Sequence, residues 1–237
     1  MKSQYLVSCE LLRENIKDDS IYPFTLDAVK NLDELEFHEN VTFLVENGSG
    51  KSTLIEALAV LRFNPEGSKN INFSTQATHS ELSEHLRIAK VVMPRDGYFL
   101  RAESFYNVAS NIDQLESEQP GIQANYGKSL HEQSHESFLS LFMHRLVNGL
   151  YILDEPEAAL SPQRQLALLV RVNELVKQKS QFVIATHSPI LLAYPNAKII
   201  QISKNFEEVG YKDTDHFDLY KTFLNNPEYM LKKLGID

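Results

Sequence analysis

The sequence predicts an α/β fold, a mostly parallel sheet flanked by helices with an antiparallel β-layer at its N-terminal end. Three observations predict it. Four short, largely apolar runs, 41–45, 150–153, 181–185 and 198–202, read as core strands, the first two buried on both faces. Helical patterns alternate with these runs, which is how a parallel sheet wrapped by helices is written in sequence. A strand, a glycine turn and a helix follow one another directly across residues 41–61.

Taken in order, the first elements are strand-like: 5–12, 24–28, 35–37 and 41–45. The first three supply the antiparallel layer. Residues 51–61 form a helix pattern, and Thr78 with Glu81 makes a capping box that opens a helix running to about Lys90. Residues 98–102 read as a strand. The polar stretch 111–128, with Pro120 and Gly121, reads as a surface loop, and 134–146 as a helix. After the strand 150–153, Ser161 and Pro162 supply an N-cap and a first-turn proline. The helix they open places Leu166, Leu169, Val172 and Val176 on one face. At the C-terminus, 213–237 carries Tyr220, Phe223, Leu224, Tyr229 and Leu231 and reads as packed helices. The organisation expected is one domain over 1–237: a core of about 20–205, a helical segment of about 78–148 within it, and a C-terminal helical extension of about 213–237.

Composition bounds the function. With 237 residues, 43% hydrophobic and 23% charged, the chain matches an ordinary globular protein that buries its core without staples. Its one cysteine, Cys9, cannot form an internal disulfide, and a cytoplasmic location is expected. No eighteen apolar residues run together, so no membrane span is expected. The net charge of −9 argues against a general nucleic-acid coat, although a local basic groove stays open.

Chemistry concentrates first in Gly48-Ser49-Gly50-Lys51-Ser52. A triphosphate needs backbone N–H groups facing it, and glycines permit that approach. The helix starting at Lys51 adds its dipole. Lys51 reaches the β- and γ-phosphates, and Ser52 places its hydroxyl on Mg²⁺. The full pattern has a glycine where this chain has Val45. The second centre is Asp154-Glu155, two carboxylates at the end of the apolar strand 150–153. Strand carboxyl ends are where open α/β sheets bind ligands. Asp154 is placed to hold Mg²⁺, and Glu155 to orient or deprotonate an attacking water.

Residues 46–53, 153–162 and Ala185-Thr186-His187-Ser188-Pro189 together resemble the ATP-binding cassette superfamily of P-loop ATPases. Within it the chain is similar to small soluble ATPases related to the SMC, RecF and overcoming-lysogenization-defect heads. The resemblance implies an ATPase head that binds ATP through Asn47, Gly48, Ser49, Gly50, Lys51, Ser52 and Thr53. It implies a switch role for His187 at the γ-phosphate, and a further Mg²⁺ contact from Gln76. It implies that Ala159-Leu160-Ser161 touches a partner subunit, and that Ser134 opens a signature helix facing the ATP of the opposite subunit of a homodimer. No glycine stands between His135 and Glu136, where that signature carries one. The expected activity is Mg²⁺-dependent ATP hydrolysis by a dimer closed around ATP. The alternatives are an ATP-binding subunit of a membrane transporter and a nucleotide-binding regulatory or defence module with little turnover.

Overall fold

In the computed structural model, the described residues are 4–45, 50–62, 81–92, 94, 97–101, 148–203 and 205–236. Four strands carry the centre of the fold: β3 (Val41–Val45), β6 (Leu150–Asp154), β7 (Gln181–Ala185) and β8 (Lys198–Ile202). Every residue of β3, β6 and β7 is buried, as the absence of a polar alternation in them requires.

With β5 (Gly97–Arg101) and β9 (Phe206–Glu208) they form a six-stranded sheet of order β5-β6-β7-β3-β8-β9. All pairs are parallel except β8–β9. The order places β7 between β3 and β6, so the loops leaving all three strands open at one edge of the sheet.

Side chains alternate across this sheet with the period of two that a pleated strand imposes. Phe43, Tyr151, Leu153, Phe182, Ile184 and Ile199 face one core, where helix α3 (Pro162–Lys177) packs. Leu44, Ile152, Val183, Ala185 and Ile200 face the other, which is closed by helix α2 (Lys51–Arg62) and the N-terminal layer. That layer is a three-stranded antiparallel sheet, β1 (Ser8–Leu11) between β2 (Glu34–Glu36) and β4 (Leu86–Ala89). A buried amide joins the two sheets. Gln181 Oε1 accepts from the Tyr5 and Leu6 backbone N–H groups at 2.9 and 2.8 Å, and its Nε2 donates to the Leu6 and His38 carbonyls at 2.7 and 2.9 Å. The network fixes which end of the amide is oxygen.

Four expectations are corrected. Residues 24–28 are turns leading into the short helix α1 (Asp27–Lys30), with Phe24, Ala28 and Val29 as its buried contacts. The helix expected up to Lys90 is a 3₁₀ turn, Glu81–His85, followed by strand β4, because pairing with β1 captures the segment. Helix α3 buries Gln165, Leu168, Val172 and Leu175; of the face expected, Val172 is buried and Leu169 and Val176 pack at its margin, but Leu166 is exposed. Ser161 occupies its N-cap without a side-chain cap bond. Finally, the C-terminal helices α5 (Asp215–Asn225) and α6 (Pro227–Lys233) bury no residue, and Tyr220, Phe223, Leu224 and Tyr229 are exposed. Between β7 and β8 lies the short helix α4 (Pro189–Leu192). Among the described residues no helix is long and apolar enough to cross a membrane.

Candidate functional site

The site grows from the carboxyl ends of β3, β7 and β6. Val45, standing where the common phosphate-loop pattern has its first glycine, is simply the last residue of β3, buried and paired to Gln201. At the far end of the loop Gly50 has φ +94°, and a Cβ there would lie 2.9 Å from Leu26 Cβ. Conformation and space both demand glycine at this position. Helix α2 begins immediately after it, so Lys51 and Ser52 sit in its first turn, with Lys51 buried.

Strand β6 ends at Asp154, whose side chain is almost wholly buried between two partners. Ser52 Oγ donates to its Oδ1 at 3.1 Å, and Arg101 Nε, from the end of β5, donates to its Oδ2 at 2.8 Å. Arg101 also faces Glu56 of α2 at 3.6 Å. The next residue, Glu155, leaves the strand in the left-handed region at φ 49°, ψ 52°, while its N–H still extends the ladder to the Ala185 carbonyl. For a residue with a Cβ this conformation costs on the order of 1–3 kcal/mol, and such strain clusters at functional sites.

His187 follows β7 and therefore falls between Lys51 and Glu155. Its Nε2 lies 3.1 Å from Lys51 Nζ and 3.4 Å from Glu155 Oε1, and its Nδ1 lies 3.0 Å from Nε2 of His216. Burial, followed by the Lys51 charge, holds the imidazole pKa below its ordinary 6.5 and outweighs the opposing pull of Glu155.

The backbone around His187 is locked. Ser188 N donates to Thr186 Oγ1 at 3.0 Å, Ser188 Oγ donates to Gln165 Oε1, and the same hydroxyl caps α4 by accepting from Ile190 and Leu191 N–H. Gln165 Nε2 in turn donates to the Leu160 carbonyl at 3.1 Å, tying the Ala159–Ser161 loop to the histidine loop.

Of the sequence-derived candidates, the structure brings together Lys51, Ser52, Asp154, Glu155 and His187, with Gly50 and Thr53 beside them. Asn47, Gly48, Ser49, Gln76, Ser134 and the 111–128 loop lie outside the described residues.

Sequence reasoning missed several contributors. Arg101 is one. A second is Glu157, whose Oε1 accepts the His187 N–H at 2.6 Å. Its Oε2 has no hydrogen-bond partner among the described residues, and burial raises its pKa above the ordinary 4.5. Tyr22 is a third: its ring is exposed, and its hydroxyl lies 3.3 Å from Thr53 Oγ1 at the start of α2. His216 is the fourth. The only sequence signal for Glu157 was its place two residues after Glu155, and none marked the other three.

A hard divalent cation suits the oxygens present. Ser52 Oγ and Asp154 Oδ1 sit 3.1 Å apart at the end of the phosphate-loop helix, and Mg²⁺ is commonly held by one or two protein oxygens, completed by water and phosphate.

Comparison with known proteins agrees with the resemblance read from the motifs. Residues 129–193 match the family described as "AAA domain, putative AbiEii toxin, Type IV TA system". The chain is 25% identical over 210 residues to the Galactofuranose transporter ATP-binding protein YtfR of Escherichia coli O157:H7, covering 79% of this chain and 42% of that one. The protein of the same name from strain K12 matches equally. The chain thus spans less than half the length of these relatives. Among solved structures, cbiO1 from Clostridium perfringens, part of the ABC transporter complex cbiONQ, aligns at a TM-score of 0.49 and 15% identity, covering 95% of this chain and 97% of that one. The SMC head domain from Thermotoga maritima aligns at a TM-score of 0.46 and 15% identity, covering 87% and 98%. The motifs and the strand order describe a P-loop NTPase fold, and the sequence matches make the chain similar to ABC-type ATP-binding proteins.

Proposed function

We propose that this chain is a Mg²⁺-dependent ATP-binding protein and ATPase that dimerises around ATP. The observation carrying this reading is the convergence of Lys51, Ser52, Asp154, Glu155 and His187 at one end of three adjacent parallel strands, each within 3.4 Å of another member. In this reading Lys51 donates to the β- and γ-phosphates, and the α2 N-terminus with the 47–50 backbone cradles them. Ser52 and Asp154 hold Mg²⁺, with Gln76 as a further ligand. The cation supplies neutralisation of charge on the phosphate oxygens when bound. Arg101 occupies the second oxygen of Asp154, so the first stays directed at Ser52. Glu155 orients the attacking water and accepts its proton, and His187 steadies the γ-phosphate. Tyr22 offers an exposed aromatic face to the base beside Thr53. Ser134 and the Ala159–Ser161 loop act on the ATP of the opposite subunit.

Steady-state ATP hydrolysis with Mg²⁺ tests the assignment. Lys51→Ala and Glu155→Gln are each expected to lower turnover by about 100-fold or more. Native-level turnover in Lys51→Ala would overturn it. Gel filtration of Glu155→Gln tests the dimer: ATP is expected to shift it to twice the monomer mass, since a ligand held between subunits favours their association. An unchanged monomer would remove the clamp.

A second reading, the ATP-binding subunit of a transporter, is favoured by the likeness to transporter ATP-binding proteins and by the exposed apolar side chains of α5 and α6. Co-purification with a polytopic membrane protein supports that reading. A regulatory module with little turnover is the outcome if ATP binds through Lys51 but the native chain does not hydrolyse it. Each of these readings places the protein's work in the cytoplasm, where ATP is supplied.

A further inference from the structure

The roles above leave the contact between His187 and His216 unassigned. His187 uses Nε2 toward Lys51 and Glu155, yet its Nδ1 faces His216 Nε2 at 3.0 Å. The ring centroids are 5.2 Å apart at 29°. That separation is about the N–N distance plus two ring radii, so the imidazoles meet end to end in the manner of a hydrogen bond rather than face to face.

The direction of this bond follows from its neighbours. A lysine ammonium has donors only, so His187 Nε2 accepts from Lys51, the nearer of its two partners. A neutral His187 then carries its proton on Nδ1 and donates it to Nε2 of His216. His216 sits in the first turn of α5, where its Nε2 faces His187 and is free of a ring proton in the tautomer that accepts.

The turn itself is fixed. Thr214, fully buried, accepts from Phe217 N–H at 3.2 Å and donates to the Tyr211 carbonyl at 2.8 Å. Tyr211 packs edge-on against Phe217. His216 is thus delivered to His187 from an element 29 residues downstream.

We propose that His216 is a positioning residue for His187: it holds the ring so that Nε2 points at the γ-phosphate position, by accepting the Nδ1 proton that the Lys51 contact leaves on the ring. The γ-phosphate part of this proposal rests on the nucleotide reading above. When Lys51 donates to phosphate instead, Nε2 becomes a donor by taking up a proton from solvent, an imidazolium the phosphate charge stabilises, while Nδ1 keeps its own proton toward His216. The bond from Nδ1 to His216 keeps the ring in place through that exchange. The start of α5 then takes part in the nucleotide response.

The test uses the full chain with ¹⁵N-labelled histidines, as native protein, His216→Phe and His216→Gln, with and without Mg²⁺ and ATP. In the nucleotide-free native protein, His187 is expected to show a protonated Nδ1 and an unprotonated Nε2. His216→Phe is expected to shift the Nδ1 resonance away from its hydrogen-bonded position, and His216→Gln, whose amide oxygen accepts the same proton, to restore it. An unchanged His187 spectrum in His216→Phe would overturn the proposal. In steady-state kinetics His216→Phe is expected to lower kcat about 10-fold, with KM for ATP altered less than about 2-fold. It should have no further effect in a His187→Ala background. Equal losses in both backgrounds would show that His216 merely supports the fold and would overturn the positioning role. If the native chain neither binds nor hydrolyses ATP, the nucleotide reading falls, and the nitrogen spectra still decide whether His216 holds the Nδ1 proton of His187.

Discussion

Glu157 shows at the scale of one residue how the site is supported from beneath. Its carboxylate accepts the His187 N–H at 2.6 Å while burial raises its pKa above the ordinary 4.5. The folded chain therefore holds a proton that the unfolded chain releases, and this contribution to stability is fully present below 4.5. It is lost as pH rises through the folded value, because there the unfolded state binds fewer protons than the native one. Glu157→Gln keeps an acceptor for the His187 N–H and removes the buried charge. The melting temperature of the native protein relative to Glu157→Gln is expected to decline as pH is raised from 4.5 toward neutrality. A difference that stays flat across that range would show that the carboxyl is not perturbed in the folded state.

At the scale of elements, Gln181 is the clearest dependency, since four hydrogen bonds from one amide hold residues 5, 6 and 38 against the start of β7. Gln181→Leu leaves buried backbone groups without partners and is expected to cost about 3 kcal/mol or more in urea denaturation, with faster amide exchange at Tyr5 and Leu6. Unaltered exchange there would mean that the layer is held by its apolar contacts alone. Nothing in the sequence distinguished Gln181 from a polar first residue of a strand, because its partners come from 143 to 176 positions away.

The same limit explains which elements were legible. β3, β6 and β7 could be read because burial on both faces leaves a continuous apolar run. β4 could not: Leu82 and Leu86, four apart, fit one face of a helix, and only pairing with β1 makes 86–89 an edge of the antiparallel layer. The facing of α3 was misjudged at its start, because Gln165 is buried by its bonds to Leu160 and Ser188, while the apolar Leu166 is left outside. Lys51, Ser52, Asp154, Glu155 and His187 were legible as local motifs. Arg101, Glu157 and His216 join them through strand neighbours and a distant helix turn.

For the molecule as a whole, Cys9 reports whether the N-terminal layer and the parallel sheet stay closed on each other. It lies in the middle of β1 with no exposed surface, and burial pushes its thiol pKa up to about 12. A thiol this protonated and enclosed is a poor nucleophile. Aromatic disulfide reagents are expected to leave the native protein unmodified and to react in step with urea unfolding. Reaction well below the unfolding midpoint would reveal that the layer opens separately from the sheet.

The left-handed backbone at Glu155 has a consequence for how this protein can change over generations. Glycine or asparagine at that position adopts φ 49° with less strain, so Glu155→Gly is expected to resist heat about as well as the native chain or better, while abolishing the proposed turnover. A population screened only for heat resistance would tend to discard the carboxylate, whereas one that must turn over ATP would keep it. The residue retained at 155 therefore records which of the two demands the lineage has faced.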